Sequence, residues 1–339
     1  MGYQHRRCRP RCAAPRLTGA ATMNAHIMQD AQQVAMSFLI RQASLIEPTV
    51  YAMRYQDIQY ANLIPVDTSA PEWIQSVTYF SMDSVGQAQW FNGNAHDVPK
   101  VELTREKFET TVSMAAIGYG YNLEELGTAQ LLGMNLNPDK ATTARRAAEE
   151  RIDSTAFIGD AAKGFSGLVN SSTPTATQAP ADGTGSARTF ASKTADQVLR
   201  DVNTQITGIA TDTLGNELAD TILLPYSIML DLSQRRIDTV NQTTILEWVM
   251  QKNVYTLTTG APLTVRGLFG YLETAGTGSS KRMVAYRRSP EVLKMHVPMP
   301  FRFLPAWQTG PIKFDVPGIF RVGGVDIRRP KAVRYLDGI

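Results

Sequence analysis

The chain has 339 residues, of which 43% are hydrophobic and 19% charged, and a formal net charge of +3. This is ordinary globular composition, with length for one large domain or two smaller ones. No stretch approaches the roughly 18 uncharged apolar residues of a spanning helix, so no membrane partner is expected. Cys8 and Cys12 are the only cysteines, which excludes a disulfide framework and a thiol nucleophile in the body. His5, His26, His96 and His296 are far apart and lack metal-ligand spacing, so no metal or cofactor is expected.

The charge is unevenly distributed. Residues 1–22 carry five arginines and no acid. Residues 281–339 carry 12 Lys and Arg against 4 Asp and Glu, or +8, which leaves residues 23–280 at 17 against 27, or −10. Such polarity fits acidic and basic parts of neighbouring subunits meeting in an assembly, and equally fits pairing within one subunit. It fits a dedicated nucleic-acid reader poorly, because those gather cations on one face.

Residues 1–22 have no hydrophobic periodicity and no apolar core of a secretory signal. They read as disordered, as upstream sequence before a start at Met23 or Met28, or as a basic arm. Ala31, Val34, Ala35, Phe38, Gln42, Leu45 and Ile46 then trace one face of a helix with one polar interruption, followed by Pro48. Trp73–Ser81 is aromatic and β-branched and predicts a strand. Residues 82–100 read as a loop, and Val101–Ile117 as a long, polar return strand. So charged a ribbon has little to bury on its own subunit. An isolated hairpin is marginal in water, so it is expected to lie across a neighbour.

Asn137–Asn170 is the most informative run. Asn137 as N-cap and Pro138 at the first turn predict a helix over 138–158. Ala141, Ala144, Ala148, Ile152 and Thr155 make one narrow stripe of mostly small residues. Arg145, Arg146, Glu149, Glu150, Arg151 and Asp153 are assigned to the remaining surface, with Arg145–Glu149 and Arg146–Glu150 four apart. Such a helix suits contact with neighbours; an ordinary solvated surface helix has the same pattern. Gly159 ends it, and Gly164 and Gly167 mark turns.

Residues 171–188 read as a Ser/Thr/Pro-rich loop. Thr194 caps a helix over 194–210, and Thr221–Leu224 is a short buried strand ended by Pro225. Ser227 is expected to cap a second helix, and TTILEWVMQKN forms a third. Arg282–Arg287 is a strand, and the last stretch gives two or three more, broken at Gly323–Gly324 and Pro330. Helices and strands mix without a βαβ period, which predicts an α+β fold.

Chemical motifs are weak. Gly276–Arg282 lacks phosphate-loop spacing, the sequence around Ser166 fails the GxSxG pattern, and Gly118–Asn122 holds two glycines of a dinucleotide fingerprint. Glu124 with Glu125, and Glu149 with Glu150, are adjacent on a helix and do not face each other. No catalytic residue is assigned.

Several short motifs then follow in a fixed order. They are Leu63-Ile-Pro-Val66, Asp83-Ser-Val-Gly-Gln-Ala88, Asp97-Val-Pro99 and Gly118-Tyr-Gly-Tyr-Asn-Leu-Glu-Glu-Leu126. Ala144–Asp153, Phe157-Ile-Gly-Asp160, Gly167-Leu-Val-Asn170, Gly323-Gly-Val-Asp-Ile-Arg-Arg-Pro330 and Tyr335 complete the series. From about residue 29 to 339 the chain resembles tailed-bacteriophage major capsid proteins, whose fold is shared with encapsulins, and within them a prophage family once filed as uncharacterised.

The resemblance implies an N-terminal arm over 23–72, an extended β-ribbon loop over 73–120 and a peripheral domain over 121–189 with a spine helix at 138–158. An axial domain over 190–280 and returning peripheral strands over 281–339 complete it. It further implies pentamers and hexamers closing into an icosahedral shell around double-stranded DNA, bound without sequence specificity. Portal, scaffolding or decoration proteins are possible partners. Arg105, Lys107, Glu109, Arg145, Arg146, Glu149 and Glu150 are the candidate inter-subunit contacts. Some relatives cross-link Lys to Asn; Lys100 and Lys107 could donate, but residues 281–339 contain no Asn, so a non-covalent shell is expected. An encapsulin-type compartment and a soluble α+β enzyme are the alternatives.

Overall fold

The computed structural model describes residues 57–85, 100–122, 124–125, 131, 136–238, 242–310 and 312–339. The chain divides into two units, Met1–Tyr55 and Gln56–Ile339. The first unit, with its basic tail and the helix expected over 29–46, lies outside the described residues.

Two long strands dominate one side of the second unit. β2 (Ser76–Val85) pairs antiparallel with the first half of β3 (Glu102–Asn122), from Ser76 opposite Thr111 to Val85 opposite Glu102. The second half of β3 pairs with β13 (Lys313–Gly323), from Val112 opposite Gly323 to Asn122 opposite Lys313. One 21-residue strand is therefore ribbon at one end and sheet at the other. β11 (Met299–Phe303) and β12 (Trp307–Gly310) add to β13. The strand expected over 101–117 runs five residues further, so Gly118–Asn122 is extended chain. A side chain at Gly118 would meet the Val316 carbonyl at 2.7 Å, so glycine is required where the two backbones approach. The expected loop at 82–100 begins later, because residues 82–85 are still strand; residues 86–99 lie outside the described residues.

α2 (Leu136–Phe157) lies against β3, β13 and β11. It starts before Asn137, so Asn137 and Pro138 fall within the first turn. That turn's N–H groups have no helical partner, so proline costs little there. Ala144, Ala148, Ile152 and Thr155 of the stripe are buried, Ala141 is partly buried, and Ala156 and Phe157 are buried beyond it. Burying a side chain such as Phe157 is worth about 2–3 kcal/mol. Asp153 departs from the expectation: placed on the solvent side by its charge, it is 3% exposed. The helix stops where Gly159 adopts φ +82°, at the start of the hairpin β4 (Gly159–Asp160) and β5 (Phe165–Ser166).

A second mixed sheet has the order β6-β15-β9-β7-β8, from Thr175–Gln178, Val333–Asp337, Arg282–Tyr286, Thr221–Pro225 and Thr264–Leu268. β9 and β7 are buried at every position, through the apolar runs Met283–Tyr286 and Ile222–Leu224, with Arg282 the buried charge at the start of β9. α3 (Ala195–Asp212) packs on β15 and β9 through Val198, Val202, Ile206 and Ile209. Its start is a full capping box: Thr194 Oγ1 accepts from the Gln197 N–H, and the Thr194 N–H donates to Gln197 Oε1 at 2.9 Å. α4 (Tyr226–Gln234), α5 (Ile245–Lys252) and α6 (Val254–Thr259) follow. Ser227 lies inside α4 and does not cap it; its hydroxyl donates to Glu273 at 2.9 Å.

One expectation changes here. The loop over 171–188 contains β6, which gains its partner from β15, some 160 residues away and invisible locally. In the same sheet β9 pairs with β7, so strands from both sides of position 280 share it.

A third sheet joins β1 (Val66–Asp67), β10 (Leu293–His296) and β14 (Val325–Ile327). α1 (Tyr60–Leu63) precedes it, with Leu63 and Ile64 buried. The Tyr286 hydroxyl donates to the Leu63 carbonyl at 2.8 Å. Residues 59–67, at the end of the segment expected as an N-terminal arm, thus make backbone and side-chain contacts to the rest of this unit.

Candidate assembly surface

Cross-strand register sorts the ribbon side chains onto two faces. Phe80 lies opposite Lys107 and Met82 opposite Arg105, with Leu103 and Glu109 on the same side. This outer face is solvent-exposed: Phe80 is 67%, Met82 59% and Leu103 59% accessible. The other face carries Tyr79 stacked on Phe108 at 5.1 Å, with the Arg328 guanidinium 4.7 Å from the Tyr79 ring. It closes over a cleft of about 560 Å³ between ribbon and body, lined by Phe165, Asp326 and Arg328 among others. The ribbon therefore turns its stacked aromatics towards its own subunit and an apolar, cationic strip outwards.

Arg105, Lys107 and Glu109 all fall on that outer face. Lys107 Nζ lies 3.1 Å from Glu109 Oε2. Hydrogen bonds from Ser76 and Lys107 hold the Glu109 carboxyl below its usual range. The other four candidates sit on α2 and pair along the helix: Arg145 Nε to Glu149 Oε1 at 3.2 Å, Arg146 Nε to Glu150 Oε1 at 2.9 Å. Exposed pairs of this kind contribute about 0.3–0.5 kcal/mol each, so they present charge more than they stabilise the helix. Of the glutamates considered as acid pairs, Glu125 accepts from Lys140 Nζ at 2.9 Å; Lys140 also caps the Gly120 carbonyl at 3.1 Å and lies 4.6 Å from the Tyr121 ring. This joins the first turns of α2 to the end of β3.

The opposite charge blocks meet inside one chain. Lys281 pairs with Glu273, Arg287 and Arg329 with Glu217, Lys294 with Asp67, Arg302 with Glu72 and Arg334 with Asp212. Each joins a C-terminal cation to an acid from residues 23–280. Of the two readings of the charge polarity, these pairs realise the intramolecular one.

Sequence reasoning missed the buried charges, because a carboxylate in a helix reads as solvated. Asp153 Oδ1 accepts the Gln59 and Tyr60 N–H groups at 3.0 and 2.9 Å, and Oδ2 accepts the Tyr271 hydroxyl at 2.9 Å. Burial pushes its pKa up, against these hydrogen bonds. Lys193 is wholly buried against Asp201, with Asp182 at 3.2 Å. Arg282 and Asp337 form a bidentate pair of 2.6 and 2.9 Å in the central sheet. Among the described residues, no cluster of His, Cys, Asp and Glu is arranged to hold a metal ion, and no helix is long and apolar enough to cross a membrane.

The family model of the major capsid protein matches residues 86–339. The chain belongs to that family. As a major capsid protein it is a structural protein of the bacteriophage virion shell. Its α+β fold is the tailed-phage capsid fold: it is similar to the capsid of Myoviridae phage XM1, with a TM-score of 0.73 at 18% identity, covering 88% of this chain and 98% of that one. Mycobacterium phage Ogopogo matches with a TM-score of 0.55 at 12% identity, over 87% and 96% of the two chains. The capsid of an empty GTA particle matches with a TM-score of 0.59 at 10% identity, over 87% and 94%. No curated protein matches the chain.

Proposed function

We propose that copies of this major capsid protein form pentamers and hexamers that close into an icosahedral shell around double-stranded DNA, without catalysing a reaction. One observation carries the reading: the ribbon presents Phe80, Met82 and Leu103 to solvent beside Arg105 and Lys107. A contiguous apolar strip of this kind marks a protein contact. Heterologous contacts that close by rotation make rings, which a flat hydrophobic edge alone does not specify. In this reading α2 is the spine of a peripheral domain together with the second half of β3. The sheet β6-β15-β9-β7-β8 and α3–α6 form the axial domain. Arg145, Arg146, Glu149 and Glu150 face a neighbour, and their intrahelical pairs exchange for intermolecular ones. Lys100 and Lys107 remain unmodified, so the shell is non-covalent. Portal, scaffolding or decoration proteins would supply closure and size.

The test is negative-stain electron microscopy of the full chain expressed alone, after size-exclusion chromatography. Shells, tubes or five- and six-membered rings are expected, and nuclease-protected double-stranded DNA in particles from the complete virion separates a capsid from a compartment. A stable monomer that fails to assemble even with scaffold present would overturn the reading, and covalent dimers on denaturing gels would overturn its non-covalent part.

A further inference from the structure

A cleft of about 630 Å³ lies between α1 and the edge strand β8. Register explains its place. Tyr286 of β9 is opposite Thr221 of β7, and Thr221 is opposite Thr264 of β8, so the three side chains share one face of the sheet. The Tyr286 hydroxyl reaches across that face to the Leu63 carbonyl, and Asp153 of α2 holds the Gln59 and Tyr60 N–H groups, so α1 is fixed above it. Arg266 is two residues along β8 from Thr264 and shares its face. Arg288 closes the cleft from the segment after β9, and Tyr226 and Met229 of α4 wall it beside Gly267. A Cβ at Gly267 would lie 2.9 Å from the Met229 sulfur, so glycine lets α4 sit this close.

Two guanidinium groups in this cleft are uncompensated. Among the described residues, neither Arg266 nor Arg288 has an ion-pair partner. Arg288 is an exception in its own block. Arg282 is held by Asp337, Arg287 and Arg329 by Glu217, Arg302 by Glu72, Arg328 by Asp326, Arg334 by Asp212 and Arg321 by the Glu72 carbonyl. Asp220 stands beside Arg288 but takes its backbone: Oδ1 accepts the Arg288 N–H at 2.8 Å and the Thr221 hydroxyl at 2.9 Å. Asp57 is the acid on the lining, is exposed, and pairs with neither arginine. The cleft therefore carries two cations against one acid, with the Gln59 and Asn62 amides and the Thr264 hydroxyl as further donors.

We propose that this cleft binds a phosphoryl oxyanion, held by Arg266 and Arg288 and by the side-chain amides of Gln59 and Asn62. Guanidinium forks take phosphoryl oxygens bidentately, and a phosphoryl group has acceptor oxygens enough for two arginines and the neutral donors together, where a carboxylate has two. The group comes from free phosphate or from the backbone of a nucleic acid, and the recognising chemistry is the same. The site itself is independent of assembly; only the nucleic-acid source rests on the shell reading.

Two probes test it on the full chain. The first is inorganic phosphate, read as the rise in thermal unfolding midpoint beyond that given by acetate at equal ionic strength. A saturable rise is expected, because a ligand of the native state alone stabilises it by mass action. The second is a short labelled DNA duplex, read by fluorescence anisotropy over a range of salt concentrations. Arg266→Gln with Arg288→Gln changes two exposed side chains, so the variant should fold. In it the phosphate response should vanish, or the duplex should bind about tenfold more weakly with a salt slope shallower by about 2. Loss of the phosphate response with unchanged duplex affinity assigns the site to free phosphate; the weakened duplex assigns it to nucleic acid. Arg236→Gln with Lys252→Gln removes two exposed charges elsewhere and is the control. A cleft variant that matches the parent with both probes, or a control variant that loses as much, would overturn the proposal.

Discussion

The Tyr271 hydroxyl donates to Asp153 at 2.9 Å, and that carboxylate also caps the backbone of residues 59 and 60. With the Tyr271 ring stacked on Phe157 at 5.1 Å, one helical turn of α2 holds both the segment entering the body and the loop after β8. Asp153→Ala strands two partly buried N–H donors and a phenol, and should cost about 3 kcal/mol; Tyr271→Phe should cost about 1 kcal/mol. Urea unfolding of the unassembled subunit measures both. The double variant should be less destabilised than the sum, because the two share one hydrogen bond.

Asp153 also has a pH signature. Its pKa is raised by burial, so the native state binds the proton more tightly than the unfolded chain does. Its own contribution to stability therefore grows as pH falls through the native ionisation and shrinks above it. Asp67 and Asp337 act in the opposite sense. Lys294 holds Asp67 down; for Asp337, burial pushes up but Arg282 and Thr277 outweigh it. Their stabilisation is complete above the usual carboxylate range, near pH 4, and is lost as pH falls below it. Stability measured from pH 7 to pH 2 should fall steeply at the acid end in the parent chain, and less steeply in Asp67→Asn. An equal acid slope in the variant would contradict the assignment.

The bidentate Arg282–Asp337 pair lies in the central sheet, with the guanidinium 4.4 Å from the Tyr335 ring. Removing one member leaves the other charge buried. Arg282→Met alone should therefore destabilise by about 3–5 kcal/mol, and Arg282→Met with Asp337→Leu should recover much of the loss. Thermal unfolding of the three proteins decides this.

Gly159 and Gly164 share left-handed φ values of +82° and +70°, in different surroundings. A Cβ at Gly159 would lie 2.3 Å from the Phe165 carbonyl, whereas one at Gly164 meets nothing within 4 Å. Gly164→Ala should cost about 1 kcal/mol from backbone conformation alone. Gly159→Ala should sharply reduce the yield of folded protein, because the hairpin after α2 must move. Expression and circular dichroism separate the two.

The outer ribbon face predicts a separation of folding from assembly. Phe80→Asp with Leu103→Asp changes exposed positions, so the subunit's unfolding free energy should shift by no more than about 0.5 kcal/mol. Particle formation, seen by electron microscopy or sedimentation, should nevertheless be lost. Intact particles would remove this face from the assembly surface.

Local pattern was sufficient where a single residue or a short period decides an element. Thr194 places the start of α3, the stripe from Ala141 to Thr155 places the side of α2 that packs inward, and the run at Thr221–Leu224 reads directly as a buried strand. Ser227 misled because a hydroxyl near a helix start resembles a cap; here Pro225 takes that position and Glu273 takes the hydroxyl. Among the candidate contacts, Arg105, Lys107 and Glu109 share a face simply because strand side chains alternate.

The sequence by itself determined the α+β class, the long charged ribbon and the helix over 138–158, because these rest on periodicity, caps and short spacings; its ordered motifs carried the resemblance to capsid proteins. Tertiary structure alone decided that Asp153, Lys193 and Asp337 are buried, that β6 and β15 are neighbours, and that the basic C-terminal block finds its acids within the same subunit. Each depends on partners brought together across long separations, and the favourable burial of a charge depends on the partner rather than on the residue.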